Sequence, residues 1–389
     1  MSGVSQPSFW ESTSLRGILY GAGCVKKLPE LCGKLVDEPK VLIVTGKSLA
    51  SSPLAKRLTE LLGEQSVGVF SKIREHGPIE DIETCLDLID EVGANVIVSF
   101  GGGSPVDACK VLTYKHHERH PDRPWVFNIA VPTTLSAAEY STIGGHTSRD
   151  KVKIGVMHTE ISPKYILLDP ELTLATPMRL WLSTGMRAVD HACENLYRPS
   201  GSIFHRLHAV SAVKMLFEGL PRCKAEPENL QVREQLLLGA ALGLSWAEFS
   251  LAMGPSHSLG HRFGASASVP HGICSCLTLA PTLALMHNSS NKPLRPEDYT
   301  SFDEAVAVLP ERFRNASPAG TPSPLVLSKA VELLIAELDL TSKFSDYKVV
   351  DEATYDHFTK ATFEELHTYS WKDDTLPTYD ELKTLLMSC

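Results

Sequence analysis

Three histidines lie between Met253 and Gly272: His257, His261 and His271, in the run MGPSHSLGHRFGASASVPHG. Residues four apart on a helix are one turn apart, so His257 and His261 are predicted to project from one face. His271 follows ten residues later, directly after Pro270, where a helix breaks or bends. Three imidazoles meeting in one pocket either ligate a metal or handle protons. Cys274 and Cys276 lie nearby. They read more simply as small buried residues of an apolar segment than as further metal ligands.

A second stretch with chemical potential is Gly101-Gly102-Gly103-Ser104-Pro105-Val106-Asp107, directly after the apolar run ANVIVSF. Three glycines let the backbone turn and approach a ligand without obstruction by a Cβ. Ser104 is expected to cap the next helix, Pro105 to take its first position, and Asp107 to lie three beyond the cap. A glycine turn feeding a capped helix N-terminus after a parallel strand is an anion site suited to a pyrophosphate. A tight turn with no ligand is the simpler alternative, although two glycines would serve it. The spacing is not G-x-G-x-x-G, so the usual dinucleotide fingerprint is absent.

These groups need elements to position them. Residues 40–45 (KVLIVT), 67–70 (VGVF), 94–100 (ANVIVSF) and 125–131 (WVFNIAV) read as strands, with helical spacing over Pro53–Leu62, over Ile79–Val92 and from Pro105. Nearly uniform apolar strands alternating with helices predict a parallel sheet covered on both faces. From Thr173 onward the apolar residues recur at three and four, as in Leu236, Leu237, Ala240, Ala241 and Leu244, which predicts helices to the C-terminus. At 389 residues the chain exceeds one core and suggests two or three domains. The expected division is residues 1–170, α/β, and residues 171–389, all-α. Residues 315–324, NASPAGTPSP, read as a surface loop.

Composition narrows the partners. A net charge of −9 with no basic run argues against nucleic acid. No apolar stretch approaches the roughly 18 residues that a bilayer span needs. The first residues lack the order of a secretory signal, the last residues (LLMSC) fit no prenylation box or common peroxisomal address, and the nine cysteines form no C-x-x-C pair. Reduced thiols in a cytoplasmic protein are therefore expected.

The motifs FGGGSPVDACK, VPTTLSAAE and GMRAVDHACENLY, with the three histidines, occur in the order seen in iron-containing (group III) alcohol dehydrogenases. The chain resembles that superfamily from ILYGAG, near Leu19, to the PHG at Pro270. Within it the chain is most similar to maleylacetate reductases. Those share a Tyr-Gly-Ala-Gly start, a His-x-Pro element (here His76-Gly77-Pro78) and a Pro-Thr-Thr-x-x-x-x-Glu loop. The resemblance implies an N-terminal nucleotide-binding α/β domain and a C-terminal helical domain with the active site in the cleft between them, a fold similar to dehydroquinate synthase and glycerol dehydrogenase. It implies that Gly101, Gly102, Gly103 and Ser104 hold a cofactor pyrophosphate, with Asp107 beside them. It also implies that Thr133 and Thr134 line the nucleotide pocket and that Lys153 lies beside the cofactor. Where NAD-specific relatives carry an Asp after the first strand, this chain has Gly46, followed by Lys47. Removing that carboxylate removes the repulsion of a 2′-phosphate, so NADPH is expected to serve at least as well as NADH. A plain turn glycine is the alternative reading of Gly46.

Metal-dependent relatives bind Fe or Zn through one Asp and three His, the Asp four residues before the first His. By that resemblance the set here is Arg187, His191, His257 and His271, with an arginine where the carboxylate belongs. Arginine has no lone pair for a metal, and its charge about 5 Å from a divalent ion costs several kcal/mol at an effective dielectric of about 20. Asp190 is no ready substitute, because it points about 100° away from its neighbour His191. It is expected to pair with Arg187 at i,i+3 on an exposed turn. Maleylacetate reductases also lack the Asp and work without metal, so no metal is expected. Arg187 then binds a substrate anion or sits in an internal ion pair; a retained metal site is the remaining alternative.

The implied function is a metal-independent NAD(P)H-dependent reductase of a keto acid or unsaturated carbonyl, taking an anionic small molecule and forming a homodimer. Arg187, His191, His257 and His271 would stabilise developing charge, and His261 would donate the proton. The family's Thr-Thr-x-x-Gly-Ser-Glu reads here as Thr133-Thr134-Leu135-Ser136-Ala137-Ala138-Glu139, two alanines replacing Gly and Ser. The alternative is a non-redox isomerase, lyase or cyclase using the same cleft in a biosynthetic pathway.

Overall fold

Strands β1 (Gly17–Tyr20), β2 (Val41–Thr45), β3 (Ser66–Phe70), β4 (Val96–Gly101), β5 (Phe127–Pro132) and β8 (Tyr165–Leu168) form one parallel six-stranded sheet of order β1-β8-β5-β4-β2-β3. The structure is a computed structural model and describes residues 14–74, 77–150, 153–199, 201–244, 254–267, 269–347, 351–368 and 371–388. Every residue of β2 and β4 is buried, as the uniform apolar runs require of strands covered on both faces. Side chains alternate between those faces. Val41, Ile43, Val96 and Val98 pack with Leu58 and Leu62 of α1 (Pro53–Leu62). Leu42, Val44 and Ile97 pack with Ile82, Leu86 and Ile89 of α2 (Ile79–Val92) and with Val111 and Leu112 of α3 (Gly103–Arg119).

The helix bounds of α1 and α2 match the spacing read from sequence. Ser52 caps α1 through Leu54 N–H with Pro53 in the first turn, and α2 stops at Gly93 in the left-handed region. The sequence pattern missed the antiparallel hairpin of β6 (Ile143–Thr147) and β7 (Lys153–Met157). β6 carries two glycines, which lowers strand propensity, and tertiary packing explains them. A Cβ on Gly144 would lie 2.8 Å from Lys110 Cβ and 3.2 Å from the Asp107 carbonyl oxygen, so the hairpin lies directly on α3.

After β8 the chain is helical. It runs through α4 (Met178–Glu194), α5 (Ile203–Ala225), α6 (Leu230–Leu244), α7 (Pro255–Ala267), α8 (His271–Asn288), α9 (Ser323–Glu337) and α10 (Glu352–Thr368). The expected loop ends earlier than position 324, because Pro322 is the cap of α9 and Pro324 sits in its first turn. One core runs through Trp181, Leu216, Leu220, Leu236, Phe263, Leu283 and Leu327 and takes in Leu135, Ala137 and Tyr140 from the segment after β5. The helical core is therefore continuous with the sheet's carboxyl edge. Among the described residues, no helix is long and apolar enough to cross a membrane.

Close helix approach depends on glycine at the start of α8. A Cβ on Gly272 would lie 2.2 Å from the Ser183 carbonyl oxygen of α4, and backbone cannot turn aside as a side chain can. Gly272→Ala should therefore lower the unfolding free energy by about 2–3 kcal/mol in urea titrations. Gly33→Ala, where an added Cβ meets nothing within 4 Å, should leave stability unchanged or raise it by about 0.5–1 kcal/mol.

Candidate active site

The connection from β2 leads outward to β3, whereas the one from β4 leads the opposite way to β5. At such a reversal the carboxyl ends of a parallel sheet open a crevice that receives ligands. Thr45 pairs with Phe100, so Gly46 and Gly101 leave the sheet side by side. Gly101 has φ +140°, and a Cβ there would lie 3.1 Å from Pro105 and 3.3 Å from Leu49. Gly102, extended, is the N-cap of α3, and no side chain caps that end. Its first-turn N–H groups are thus left without a capping side chain, as an anion site requires. The cap differs from the expected one: Ser104 is the second residue of α3 and Pro105 the third. Helical geometry begins earlier because extended Gly102 supplies the entry. Asp107 is a turn further in, its Oδ1 3.5 Å from Lys110 Nζ.

The segment carrying Thr133 and Thr134 lies over this glycine turn. A Cβ on Gly102 would come within 3.1 Å of Thr134 Cγ2, and one on Gly103 within 3.3 Å of Ser136 Oγ. Thr133 N–H donates to the Gly101 carbonyl at 2.8 Å. Thr176 Oγ donates to the Thr133 carbonyl at 2.7 Å, and Leu135 N–H donates to Thr184 Oγ of α4 at 3.1 Å. Ala137 adopts the left-handed conformation at φ 61°, a strain of about 1 kcal/mol for a residue with a Cβ. Below it, fully buried Lys110 donates to the carbonyls of Ala138 and Ile143 and to Ser141 Oγ. Burial pushes the adjacent Glu139 carboxyl up to about 7. Lys153 opens β7 opposite Thr147; its side chain and all of His76 lie outside the described residues. Gly46 has an ordinary φ of −88° at the start of the one-turn helix Lys47–Ala50, and Lys47 is exposed beside it.

Across the crevice, α4 presents Arg187, Asp190, His191 and Glu194, and α7 presents His257 and His261. Pro270 is the cap of α8 and His271 its first residue. The rings form a chain, with centroids 5.1 Å apart from His191 to His257, 4.6 Å to His261 and 6.3 Å to His271. Arg187 Nη2 donates to His257 Nε2 at 3.0 Å. Its Nη1 donates to Asp190 Oδ2 at 3.3 Å and reaches Ser275 Oγ at 3.4 Å, while Ser275 donates to the same Asp190 oxygen at 2.6 Å. The Arg187–Asp190 pair therefore exists, but it is buried and not exposed, because this face of α4 is covered by α8. A Cβ on Gly260 would lie 3.0 Å from Arg187 Nη1, so glycine there lets α7 pass over the guanidinium. Cys274 and Cys276 are interior thiols whose Sγ–H groups donate to the Val269 and Gly272 carbonyls.

Burial, then the Arg187 charge and His261, holds His191 well below the usual histidine range. Burial and Arg187, with the other three histidines adding, do the same to His257. Both are neutral at pH 7. His261 is different: it is 44% exposed, and its Nδ1 lies 3.0 Å from Glu365 Oε1 of α10. Glu365 also accepts from Arg262 at 2.5 Å. His261 and Arg262 hold that carboxyl low against the opposing effect of burial.

The divalent ion held by metal-dependent relatives does not fit these residues. The guanidinium donates to His257 Nε2, the lone pair a metal would need. Among the described residues, the one group of three His, Cys, Asp or Glu whose ligand atoms all lie within 4.8 Å is elsewhere, at Asp90, His116 and His120. Three contributors escaped the sequence reading. Glu194 was findable, three residues beyond His191 on the same helix face. Its Oε1 accepts from Ser256 N–H at 2.8 Å and His257 N–H at 3.4 Å, capping the helix that carries the histidines. Burial, aided by Asp190, raises its carboxyl well above the ordinary value. Ser275 and Glu365 had no signal, since they arrive from distant helices.

Two outcomes follow for stability. Arg187→Ala or Asp190→Ala alone leaves a buried charge unpaired and should cost about 3–5 kcal/mol, while the double variant should cost clearly less than the sum in a urea double-mutant cycle. For pH, the buried histidines add nothing above about pH 6.5, where folded and unfolded imidazoles are both neutral. Below it the unfolded chain takes up protons that folded His191 and His257 refuse, as does His205, held at about 4 by burial. Between about pH 6.5 and pH 5 the histidines pull the urea midpoint down while the raised Glu139 and Glu194 carboxyls push it up, so His205→Gln should make the midpoint fall less, or rise more, than in wild type over that range.

Residues 16–170 match the family model for iron-containing alcohol dehydrogenase, and residues 181–378 match that for the C-terminal part of the Fe-containing alcohol dehydrogenase family. Maleylacetate reductase of Sphingobium indicum is 28% identical over 316 residues, 81% of each chain. The crystal structure of maleylacetate reductase from Agrobacterium tumefaciens shares the fold with a TM-score of 0.80 at 24% identity, covering 98% of this chain and 97% of that one. Sulfoacetaldehyde reductase from Bifidobacterium kashiwanohense in complex with NAD+ also has a TM-score of 0.80, at 20% identity over 98% of this chain and 99% of its own length. The chain therefore belongs to the iron-containing alcohol dehydrogenase family of oxidoreductases.

Proposed function

We propose that this protein is a metal-independent NAD(P)H-dependent reductase of an anionic keto acid or unsaturated carbonyl compound, similar in activity to maleylacetate reductases. The observation that carries the reading is the guanidinium of Arg187 seated at His257 Nε2, in the place of an acidic metal ligand. Gly101, Gly102, Gly103 and Ser104, with Thr133 and Thr134 above them, would hold the cofactor's pyrophosphate. When bound, the reduced nicotinamide supplies a hydride. The substrate oxygen or α-carbon that gains negative charge needs positive charge and hydrogen-bond donors nearby. Arg187 has five N–H groups and uses three contacts within the protein, so donors remain for a carboxylate or enolate. Among the described residues, the buried Nδ1 atoms of His191 and His257 have no hydrogen-bond partner, which supports a polar ligand there.

His261 is the proton donor in this reading. Glu365 orients its Nδ1 and leaves Nε2 to exchange the proton. His257 is poorly placed for that role, because its Nε2 accepts from Arg187. Ala137 and Ala138 stand where the family pattern has Gly and Ser, which narrows the crevice on its nicotinamide side and removes a hydroxyl. Gly46 has no backbone need for glycine, and the first contact of an added Cβ would be an ordinary 3.5 Å to the Ile73 carbonyl. Its effect is thus the missing carboxylate, which with Lys47 favours NADPH. A division into residues 1–170 and 171–389 with the cleft between them, assembly as a homodimer, and a cytoplasmic location belong to the same reading.

The test is cofactor fluorescence and oxidation with a panel of small keto acids and unsaturated carboxylates in the presence of chelator. NADPH should bind and be oxidised, with a KM no higher than that of NADH, and Gly46→Asp should shift the preference toward NADH by at least about tenfold. Arg187→Met should lower kcat/KM by about 100-fold or more, and His261→Asn should lower kcat about 100-fold. A requirement for iron or zinc would defeat the metal-free reading. Unimpaired turnover in Arg187→Met would leave Arg187 an internal ion-pair partner only. Absence of NAD(P)H binding would turn the assignment to non-redox chemistry.

A further inference from the structure

The ligand set missing from the crevice is present at the opposite end of α3. Asp90, near the end of α2, and His116 and His120, one turn apart at the end of α3, bring one ligand atom each to within 4.8 Å of one another. Asp90 Oδ1 lies 2.8 Å from His120 Nε2 and 3.6 Å from His116 Nε2. The two rings are 4.9 Å apart. His116 is only 6% exposed, and its Nδ1 has no hydrogen-bond partner. Its Nε2 is beyond hydrogen-bond reach of Asp90. The fold thus buries an imidazole without satisfying it and points one of its nitrogens at a carboxylate.

We propose that Asp90, His116 and His120 form a binding site for a divalent transition-metal ion, zinc by chemical preference, that clamps α2 to α3. Two imidazoles and a carboxylate suit Zn2+ or Co2+, with water completing the shell. Ligand atoms around a tetrahedral zinc with bonds of about 2.0–2.1 Å lie about 3.4 Å apart. The Asp90 separations of 2.8 and 3.6 Å bracket that value, and the imidazole nitrogens lie within 4.8 Å of one another, so side-chain adjustments of about 1–1.5 Å at most suffice. Arg119 does not compete as Arg187 does in the crevice. It donates to the other Asp90 oxygen, Oδ2, at 2.7 Å and shares its charge with Asp87 at 2.9 Å. That contact fixes the carboxylate and leaves Oδ1 facing the imidazoles. Burial also holds His116 below the ordinary histidine range, so it is neutral and able to ligate at pH 7.

The site is distinct from the crevice. α3 has 17 residues and is about 25 Å long, with the glycine turn at one end and this cluster at the other. The role is structural, and it does not depend on the proposed reaction.

The experiment is zinc titration by calorimetry on the full-length, chelator-stripped protein, with cobalt absorption as a second readout. Wild type and His257→Ala should each bind one equivalent and give the visible absorption of low-coordinate Co2+, and zinc should raise their Tm. His120→Gln and Asp90→Asn should weaken binding at least tenfold and abolish both the band and the Tm rise. His120 ends its helix partly exposed, so its variant tests the site with little demand on packing. No zinc binding by wild type would overturn the proposal. So would binding that survives both His120→Gln and Asp90→Asn or is lost in His257→Ala, since the ion would then be elsewhere.

Discussion

A buried guanidinium organises the helical half of this molecule. Arg187 cannot shed its charge, so the surrounding helices must satisfy it. Asp190 supplies the countercharge from the next turn of the same helix, Ser275 bonds to that carboxylate from α8, and His257 accepts from α7. One side chain thereby fixes the relative placement of three helices that a shared metal ion would otherwise join. The same charge, together with burial, keeps His191 and His257 neutral. The histidines are therefore not equivalent. His191 and His257 are interior and neutral, and His261, exposed and paired with Glu365, has ready access to protons from solvent.

Close backbone approach is the second constraint, and it links the two halves. Gly102 and Gly103 admit the side chains of Thr134 and Ser136, Gly260 admits the guanidinium, and Gly272 admits the Ser183 carbonyl. Thr176 and Thr184 then hydrogen-bond the segment after β5 to the helical side. The glycine turn and Arg187 are thus connected through a few short polar contacts, with little slack between them. Ala137 shows how strict the geometry is: the backbone takes the left-handed conformation there without a glycine.

The two cation-ready sets of this chain are opposites in their electrostatics. At the helical side of the crevice, an arginine occupies the accepting, lone-pair side of an imidazole. At the end of α3, an arginine binds the far oxygen of the carboxylate and leaves the nearer one turned toward two imidazoles. The difference lies in which atom the guanidinium meets, which residue identity alone does not convey.

The sequence by itself determined the parallel sheet, the helix bounds of α1 and α2 and the glycine turn, because those signals are local: uniform apolar runs, turn glycines and fixed spacing. The grouping of Arg187, His191, His257 and His271 came instead from the family resemblance. The sequence also placed His257 and His261 on one helix face. It misjudged the cap of α3, since Ser104 and Gly102 are both acceptable caps and only the extended backbone of Gly102 selects between them. It took the Arg187–Asp190 pair as exposed, because i,i+3 spacing defines a neighbour but not which face a later helix covers. The β6–β7 hairpin, Ser275, Glu365 and the meeting of Asp90 with His116 and His120 came from the tertiary structure alone. Each joins segments far apart in the chain, and such contacts are set by how helices and strands pack, not by any pattern within one of them.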